Sequence, residues 1–301
     1  MMHGILNILK PAGMTSHDVV GYVRRLTGIK RVGHTGTLDP CAVGVLPLCI
    51  GLATRLVDYI TAQKKSYRTE ITLGTTTNSG DAFGEIIGTY DPVNVSEADI
   101  KAVLGKFSGD ILQIPPMTSA IKVNGKKLYE LARQGIEIER APRQVTIYKL
   151  EVVKWDLMCS PPRILVDVDC SKGTYIRSLC TDIGTALGCG AYMSFLVRTQ
   201  VGLFSLEQAI TLEKLQEAVL AGELNSQLIT MEQALVAMPK IELTEFQALD
   251  IHNGRSITVN NELININEQV QLLSNNRFLA IAEVSPVSGG YLVKPVKVFH
   301  R

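Results

Sequence analysis

Segment 33–51, GHTGTLDPCAVGVLPLCIG, joins two groups able to do polar chemistry to a long apolar stretch. His34 can donate, accept or carry a proton, and Asp39 offers a carboxylate. Pro40 fixes its own φ and restricts Asp39 to extended conformations, so stiff backbone presents the carboxylate. No residue from Cys41 to Ala53 is charged, which places Asp39 beside a core where it needs a cationic partner. On composition alone, however, an Asp before Pro is most often a turn residue.

The string HTGTLDPCAVGVLP within this segment resembles the signature motif of the TruB family of bacterial pseudouridine synthases. The resemblance implies that Asp39 is the catalytic residue. It also implies that His34 fills the space left in an RNA loop when the target base is turned out of the stack. A lone histidine is more often a structural hydrogen-bonding residue, so the second role depends on the resemblance.

Three further stretches resemble motifs of the same family. KKSYRTEITLG implies that Tyr67 stacks on the target base, and a phenol offers both a flat apolar face and a polar tip. KGTYIRSL implies that Arg177 pairs with Asp39. A cation in the first turn of a helix opposes the helix dipole by about 1 kcal/mol or less, so a partner elsewhere is expected. AYMSFLVRTQVG implies that Leu196 packs on the flipped base. Tyr67 and Leu196 also suit ordinary strand packing.

The polar loop 74–84 lies where the family carries acidic residues. Asp81 matches one of these positions and is a candidate substrate-binding residue, whereas Asn78 stands where an Asp is expected.

Segment 113–143 resembles a family insert that clamps tRNA. Asn124-Gly125 predicts a hairpin, and the residues from Lys126 to Arg133 predict a basic helix. Lys126 and Lys127 are the candidate contacts to RNA phosphates. Thr118 replaces a Tyr that is often found in this insert, which argues against base stacking at that position.

Charge is unevenly distributed along the chain. Residues 1–143 hold 17 Lys and Arg against 13 Asp and Glu, net +4, whereas residues 144–301 hold 13 against 16, net −3. The basic excess therefore lies in the part that contains Asp39. Basic clusters are often only solvated faces, but a polyanion would favour them through counterion release.

Composition limits the class of protein. With 46% apolar and 20% charged residues the chain is expected to be globular, and no apolar run is long enough to cross a membrane. No signal peptide is recognised, and the six cysteines show no C-x-x-C pair, so we expect reduced thiols and a cytoplasmic location. No P-loop, G-x-G-x-x-G motif or metal-ligand cluster is present, and neither metal nor cofactor is expected.

The predicted fold is α+β, with a central, mostly antiparallel sheet of the pseudouridine synthase type flanked by helices. We expect a catalytic domain over 1–238 and a small β-rich domain over 239–301 that resembles, by position, an RNA-binding PUA domain. Strands are predicted at 3–9, 66–73, 145–154 and 163–170, and helices from Ser16 to Gly28 and over 55–60, 96–104, 173–187, 206–219 and 224–238.

The resemblance implies an isomerase that converts uridine 55 in the T-arm of tRNA to pseudouridine, acting as a monomer. A glycosidase ordinarily needs two acids, whereas one carboxylate is prominent here. Asp39 would act either as nucleophile on ribose or base, or as a base that removes a sugar proton, and the residues do not choose. Two alternatives remain: an RNA-binding or tRNA-folding protein without catalysis, and a nucleoside hydrolase.

Overall fold

The computed structural model describes residues 2–90, 94–119, 121–123, 125–132, 134–260 and 269–299. Its α-helices are α1 (Ser16–Thr27), α2 (Val57–Thr61), α3 (Glu97–Lys106), α4 (Leu128–Ala132), α5 (Ile176–Ala186), α6 (Leu212–Leu220), α7 (Met231–Ala234) and α8 (Glu245–His252). Two 3-10 helices cover Gly51–Leu56 and Leu224–Gln227. None of the helices in these ranges has the length and apolar character needed to cross a membrane.

The central sheet is mixed and mostly antiparallel. Its strands are β1 (Gly4–Lys10), β2 (Val32–His34), β3 (Val43–Ile50), β4 (Lys65–Leu73), β7 (Gly109–Gln113), β10 (Arg143–Asp156), β11 (Arg163–Cys170), β12 (Ala191–Val201) and β13 (Phe204–Ser205). The spatial order is β1-β3-β12-β4-β11-β10-β7, with β2 paired to β3 and β13 to β12. Only β12 and β3 pair in parallel within this sheet. The predicted fold class is confirmed.

Two hairpins and a second sheet complete the described part of the fold. The hairpins join β5 (Thr75–Thr77) to β6 (Ile86–Thr89) and β8 (Lys122–Val123) to β9 (Lys126–Lys127). The second sheet contains β14 (Lys240–Glu242), β15 (Ile257–Val259), β16 (Gln269–Ser274), β17 (Arg277–Val287) and β18 (Gly290–Val298), in the order β14-β16-β17-β18-β15. It is joined to the rest of the chain by packing of Ile281 and Phe299 against Leu56 and Ile60.

Strand β3 is covered on both faces, which explains the uncharged segment 41–53. Leu46 and Leu48 pack against α1, whereas Val45 and Cys49 pack into a different cluster on the other side of the strand. Successive residues of a strand point to opposite faces, so a strand buried on both faces must be apolar throughout. The loop before β3 is therefore attached to a rigid element.

Several helix boundaries differ from the predictions because of capping. Thr15, rather than Ser16, is the N-cap of α1, in a reciprocal capping box with Asp18. Ser16 is instead buried and bonds the backbone of Leu38, in the loop between β2 and β3. The predicted helix 206–219 begins only after Thr211, whose side chain caps α6. The predicted helix 224–238 breaks into a 3-10 turn and α7, which Thr230 caps.

The predicted basic helix from Lys126 to Arg133 is partly wrong. The helix covers only Leu128–Ala132, and Lys126 and Lys127 form strand β9. The predicted hairpin is confirmed by the antiparallel pairing of Lys122 with Lys127, while Asn124 itself and Arg133 lie outside the described residues. All six cysteines are free thiols, as expected.

Candidate active site

Two polar side chains, Ser16 and Lys10, hold the loop between β2 and β3 through hydrogen bonds to its backbone. The Ser16 hydroxyl accepts from the Leu38 amide at 2.8 Å and donates to the Leu38 carbonyl. Fully buried Lys10 donates from Nζ to the Pro40 carbonyl at 3.2 Å, and burial lowers its pKa to about 8. Asp39 lies between these two anchored residues, so its position is determined by the scaffold.

Asp39 pairs with Arg177, which lies in the first turn of α5. Arg177 Nε is 3.0 Å from Asp39 Oδ2, and Nη2 donates to Oδ1 at 3.2 Å. The guanidinium fork therefore engages both carboxylate oxygens, the geometry that gives the strongest charge-assisted hydrogen bonds. The Arg177 side chain is only 7% exposed, against 31% for Asp39. The acid is thus held by a buried cation while it remains open to solvent.

Four more groups contact Arg177. Asp81 Oδ2 lies 3.7 Å from Arg177 Nη1, and the Thr118 hydroxyl accepts a hydrogen bond from the same nitrogen. The Thr118 and Ser79 carbonyls accept from Arg177 at 3.3 and 3.4 Å. Arg177 therefore joins three segments: the β2–β3 loop, the loop after β5 and the segment before β8. The sequence marks Thr118 only as a Thr where the family often has a Tyr. The structure adds that Thr118 contacts Arg177.

The carboxyl of Asp39 has a raised pKa despite its cationic partner. Burial is the main cause, the Arg177 charge opposes it, and the nearby Asp81 charge raises the pKa further. The ionised form is therefore less favourable than in water.

Tyr67 lies on β4 and is largely buried, with a hydrogen bond to the fully buried Arg198. Burial raises the pKa of the Tyr67 phenol, so the neutral form is favoured. Arg198 also donates to the carbonyls of Val45, Thr37 and Gly36. A single guanidinium therefore links Tyr67, the base-stacking candidate, to the backbone of the β2–β3 loop.

Arg198 was not singled out from the sequence. Its position on β12 is the one feature that points to it. Arg198 follows Leu196 by two residues, so both side chains face the same side of the strand, and both are buried. A charged residue on the inward face of a strand needs buried partners. Here those partners are mostly carbonyls, which a residue pattern does not show.

Leu196 and His34 take separate positions around the loop. Leu196 pairs in register with Thr69 and belongs to the same core cluster as Tyr67 and Leu38. His34 ends β2, and its Nδ1 accepts from the Gly36 amide at 3.4 Å. Burial lowers the pKa of His34, and the Arg198 charge lowers it further, which favours a neutral imidazole.

Lys126 and Lys127 lie away from Asp39, on the β8–β9 hairpin. Just beyond it, the Tyr129 amide donates to the Ser119 carbonyl at 3.1 Å, and Ser119 adjoins Thr118, which contacts Arg177. Lys127 Nζ donates to the Tyr129 hydroxyl at 3.0 Å. The structure thus brings Asp39, Arg177 and Asp81 into contact, with Tyr67 and Leu196 in the adjoining core. Among the described residues, no group of three or more His, Cys, Asp and Glu could hold a metal ion.

Comparison with known families decides the affiliation of the chain. The model of the TruB family pseudouridylate synthase N-terminal domain matches residues 24–176, and that of the tRNA pseudouridylate synthase B C-terminal domain matches residues 177–236. The chain belongs to the TruB family. Because pseudouridine synthases are isomerases, this TruB family member is an isomerase.

Relatives of this TruB family member extend over nearly the whole chain. A tRNA pseudouridine synthase B of Heliobacterium modesticaldum is 45% identical over 300 residues, covering 100% of this chain and 96% of the relative. One from Pelotomaculum thermopropionicum is 52% identical over 241 residues, covering 80% and 76%. Among solved structures, a Cbf5-Nop10-Gar1 complex contains a chain that is 28% identical with a TM-score of 0.76, covering 99% of this chain and 85% of its own.

Proposed function

We propose that this protein converts uridine 55 in the T-arm of tRNA to pseudouridine, with Asp39 as the catalytic carboxylate. The observation that carries the assignment is the fork of Arg177 on both oxygens of Asp39, at 3.0 and 3.2 Å, in a partly open loop. The substrate class is supported by relatives that are named tRNA pseudouridine synthase B and match almost the full length of the chain.

The reaction requires that a glycosidic bond breaks, that the base turns, and that a carbon–carbon bond forms to the same sugar. Nothing is oxidised and no group leaves the RNA, so the chemistry itself calls for neither metal nor cofactor. An ionised Asp39 serves in either route: as a nucleophile on ribose or base, or as a base that removes a sugar proton. Arg177 aims the carboxylate in both cases and favours its charged form.

The target uridine must leave its stack to reach Asp39. Tyr67 and Leu196 share one cluster beside the loop and retain only 8% and 7% exposure, so they would form the apolar floor under the extruded base. The neutral phenol of Tyr67 could also donate a proton. His34, at the end of β2, would take the place of the base in the RNA loop, and a neutral imidazole suits that role because it costs little to desolvate.

Contacts with the rest of the tRNA belong to the same proposal. Lys126 and Lys127 would bind phosphates from the β8–β9 hairpin, which is joined to the site through Ser119. Residues 1–238 would form the catalytic domain and 239–301 a PUA-like RNA-binding domain. Asp81 would assist substrate binding through its contact with Arg177. A monomer working in the cytoplasm is expected.

The deciding experiment incubates the purified protein with a T-arm stem-loop and maps pseudouridine by carbodiimide labelling. Conversion at the uridine of position 55, without change in RNA mass, supports the proposal. Release of uracil with an abasic RNA would instead show a hydrolase. Tight binding without conversion would indicate an RNA-binding or tRNA-folding protein.

A further inference from the structure

A basic cleft lies beside β2, whose residues Val32 and Gly33 line it. It is a cavity of about 590 Å³ lined by residues that include Arg24, Lys30, Arg31, Arg55 and Lys297, with Asp58 as the one carboxylate in its lining. Its walls come from the end of α1, from the 3-10 helix Gly51–Leu56 and from β18. Five cations against one anion give the cleft a positive potential, which favours polyanions.

The walls of the cleft are fixed by hydrogen bonds to backbone rather than by carboxylates. Arg24 Nη2 donates to the Val32 carbonyl at 2.7 Å, and Arg55 Nη1 donates to the Val298 carbonyl. Lys297 Nζ donates to the Arg55 carbonyl at 2.9 Å and lies 3.8 Å from Asp58. Each arginine keeps unused N–H donors, because a guanidinium has five. The positive charge is therefore built into a rigid frame.

Lys30 and Arg31 form the exposed edge of the cleft. In the described ranges neither side chain has an ion pair, although the Arg31 carbonyl accepts from the Gly51 amide at 2.8 Å and so holds its backbone in place. Two neighbouring exposed cations favour phosphate because binding releases condensed counterions.

The cleft is joined to the active site by the β2–β3 pair. Val32 and Gly33 line the cleft, and His34 follows them on the same strand. Gly33 is six residues from Asp39, and a fully extended chain spans at most about 3.3–3.6 Å per residue, so this wall of the cleft lies within about 20 Å of the carboxylate. A continuous RNA helix spans that distance easily.

We propose that this cleft binds backbone phosphates of the substrate RNA at a distance from the reacting uridine, with Arg31 and Lys30 as the principal contacts. This inference rests on the proposed function only for the identity of the RNA. The phosphates could belong to the T-arm stem or to the remainder of the tRNA, and the two sources are separated by using both RNAs.

The test measures the affinity of Arg31→Gln for full-length tRNA and for a T-arm stem-loop over a range of salt concentrations. The matched control is Arg25→Gln, because Arg25 is exposed in the last turn of α1 and does not line the cleft. We expect Arg31→Gln to weaken binding about ten-fold and to lower the slope of log Kd against log salt by about 1, with Arg25→Gln close to the unmodified protein.

Loss on both RNAs would place the phosphates in the T-arm, and loss on full-length tRNA alone would place them elsewhere in the molecule. Equal behaviour of the two variants would overturn the inference. The result is independent of catalysis, because binding is measured directly. If pseudouridine forms but Arg31→Gln binds RNA as tightly as the unmodified protein, only the proposal for the cleft is refuted. If binding depends on Arg31 but no pseudouridine forms, only the proposed function is refuted.

Discussion

Arg177 contacts both carboxylate oxygens of Asp39, from Nε at 3.0 Å and from Nη2 at 3.2 Å, yet the pKa of Asp39 remains above that of a free aspartate. Burial outweighs the guanidinium, and Asp81 adds a second negative charge on the same arginine. The site therefore makes the charged form of its acid less favourable than it is in water. This relationship between burial and pairing leads to predictions for both activity and stability.

Asp39→Asn should abolish pseudouridine formation while tRNA affinity stays within a small factor, because the amide keeps the shape but supplies neither nucleophile nor base. A carboxyl whose pKa is raised in the folded state lowers the free energy of unfolding when it is ionised. This destabilisation is fully present above the folded-state pKa and absent below the unfolded-state pKa of 3.8. The variant should thus be at least as stable as the unmodified protein at neutral pH. Turnover and thermal unfolding at pH 7 check the two parts, and retained turnover would refute the catalytic assignment.

Asp81→Asn should move the acid limb of the pH–rate profile to lower pH. Activity needs ionised Asp39 and falls as pH drops through its raised pKa, and removal of the Asp81 charge makes ionisation easier. The measurement is kcat/KM across the acid range. Asp250→Asn, on α8, makes the same change in net charge far from Arg177 and should leave the limb in place. A limb shifted upward in Asp81→Asn would contradict the electrostatic account.

Arg177→Lys should lower kcat by about 10²-fold, because an ammonium cannot fork two oxygens and reach Thr118 as well. Arg68→Lys is the matched control. Arg68 forks Asp167 at 2.7 and 2.8 Å on the exposed face of β4, opposite to the face that carries Tyr67, so Arg68→Lys loses the same geometry on a different carboxylate. Equal turnover for the two variants would show that the fork on Asp39 is not needed.

Tyr67→Phe should reduce turnover more than tRNA affinity, since the ring stays available for stacking while the hydroxyl bonded to Arg198 is lost. The buried guanidinium then lacks one acceptor, at a cost of about 1–3 kcal/mol in unfolding free energy. Tyr22→Phe, which removes a hydroxyl donating to Gln216, provides the comparison. Full activity of Tyr67→Phe would leave only the stacking role.

The sequence anticipated the part of the site that depends on paired charge. The uncharged stretch after Asp39 called for a cation and Arg177 in a first helical turn called for an anion, while the resemblance of KGTYIRSL to the family motif is what joined the two residues. The order of strands and the parallel β12–β3 contact could not be read from single segments, because they depend on long-range pairing.

Where the capping residues and the apolar periodicity disagree, the predicted helix is absent or longer than the observed one. Helix α8 has a reciprocal capping box of Thr244 with Gln247, but its apolar residues do not form one stripe, and Phe246 and Leu249 are exposed. The Thr-rich segment after β4, read as a loop, forms the short β5–β6 hairpin. Arg198 was missed because its acceptors are mainly carbonyls of residues far away in the chain.

Gly44 lies where β3 pairs in parallel with β12, directly opposite Arg198. Its φ is +116°, and an added Cβ would lie 2.2 Å from the Arg198 carbonyl oxygen and 2.8 Å from the Arg198 amide nitrogen. Gly44→Ala must therefore push β12 away from β3. The shift moves the Arg198 guanidinium, which contacts Tyr67 and the backbone of the β2–β3 loop. We expect a loss of at least about 3 kcal/mol in unfolding free energy.

Gly105→Ala is its control, because Gly105 lies in α3 with nothing within 4 Å of an added Cβ and should gain about 0.5–1 kcal/mol. Urea unfolding midpoints measure both changes. At low temperature, where Gly44→Ala is still folded, its turnover should remain below that of the unmodified protein, since the displaced Arg198 no longer fixes the Gly36 and Thr37 carbonyls. Normal turnover in the folded variant would show that Arg198 stabilises the fold without positioning the loop for catalysis.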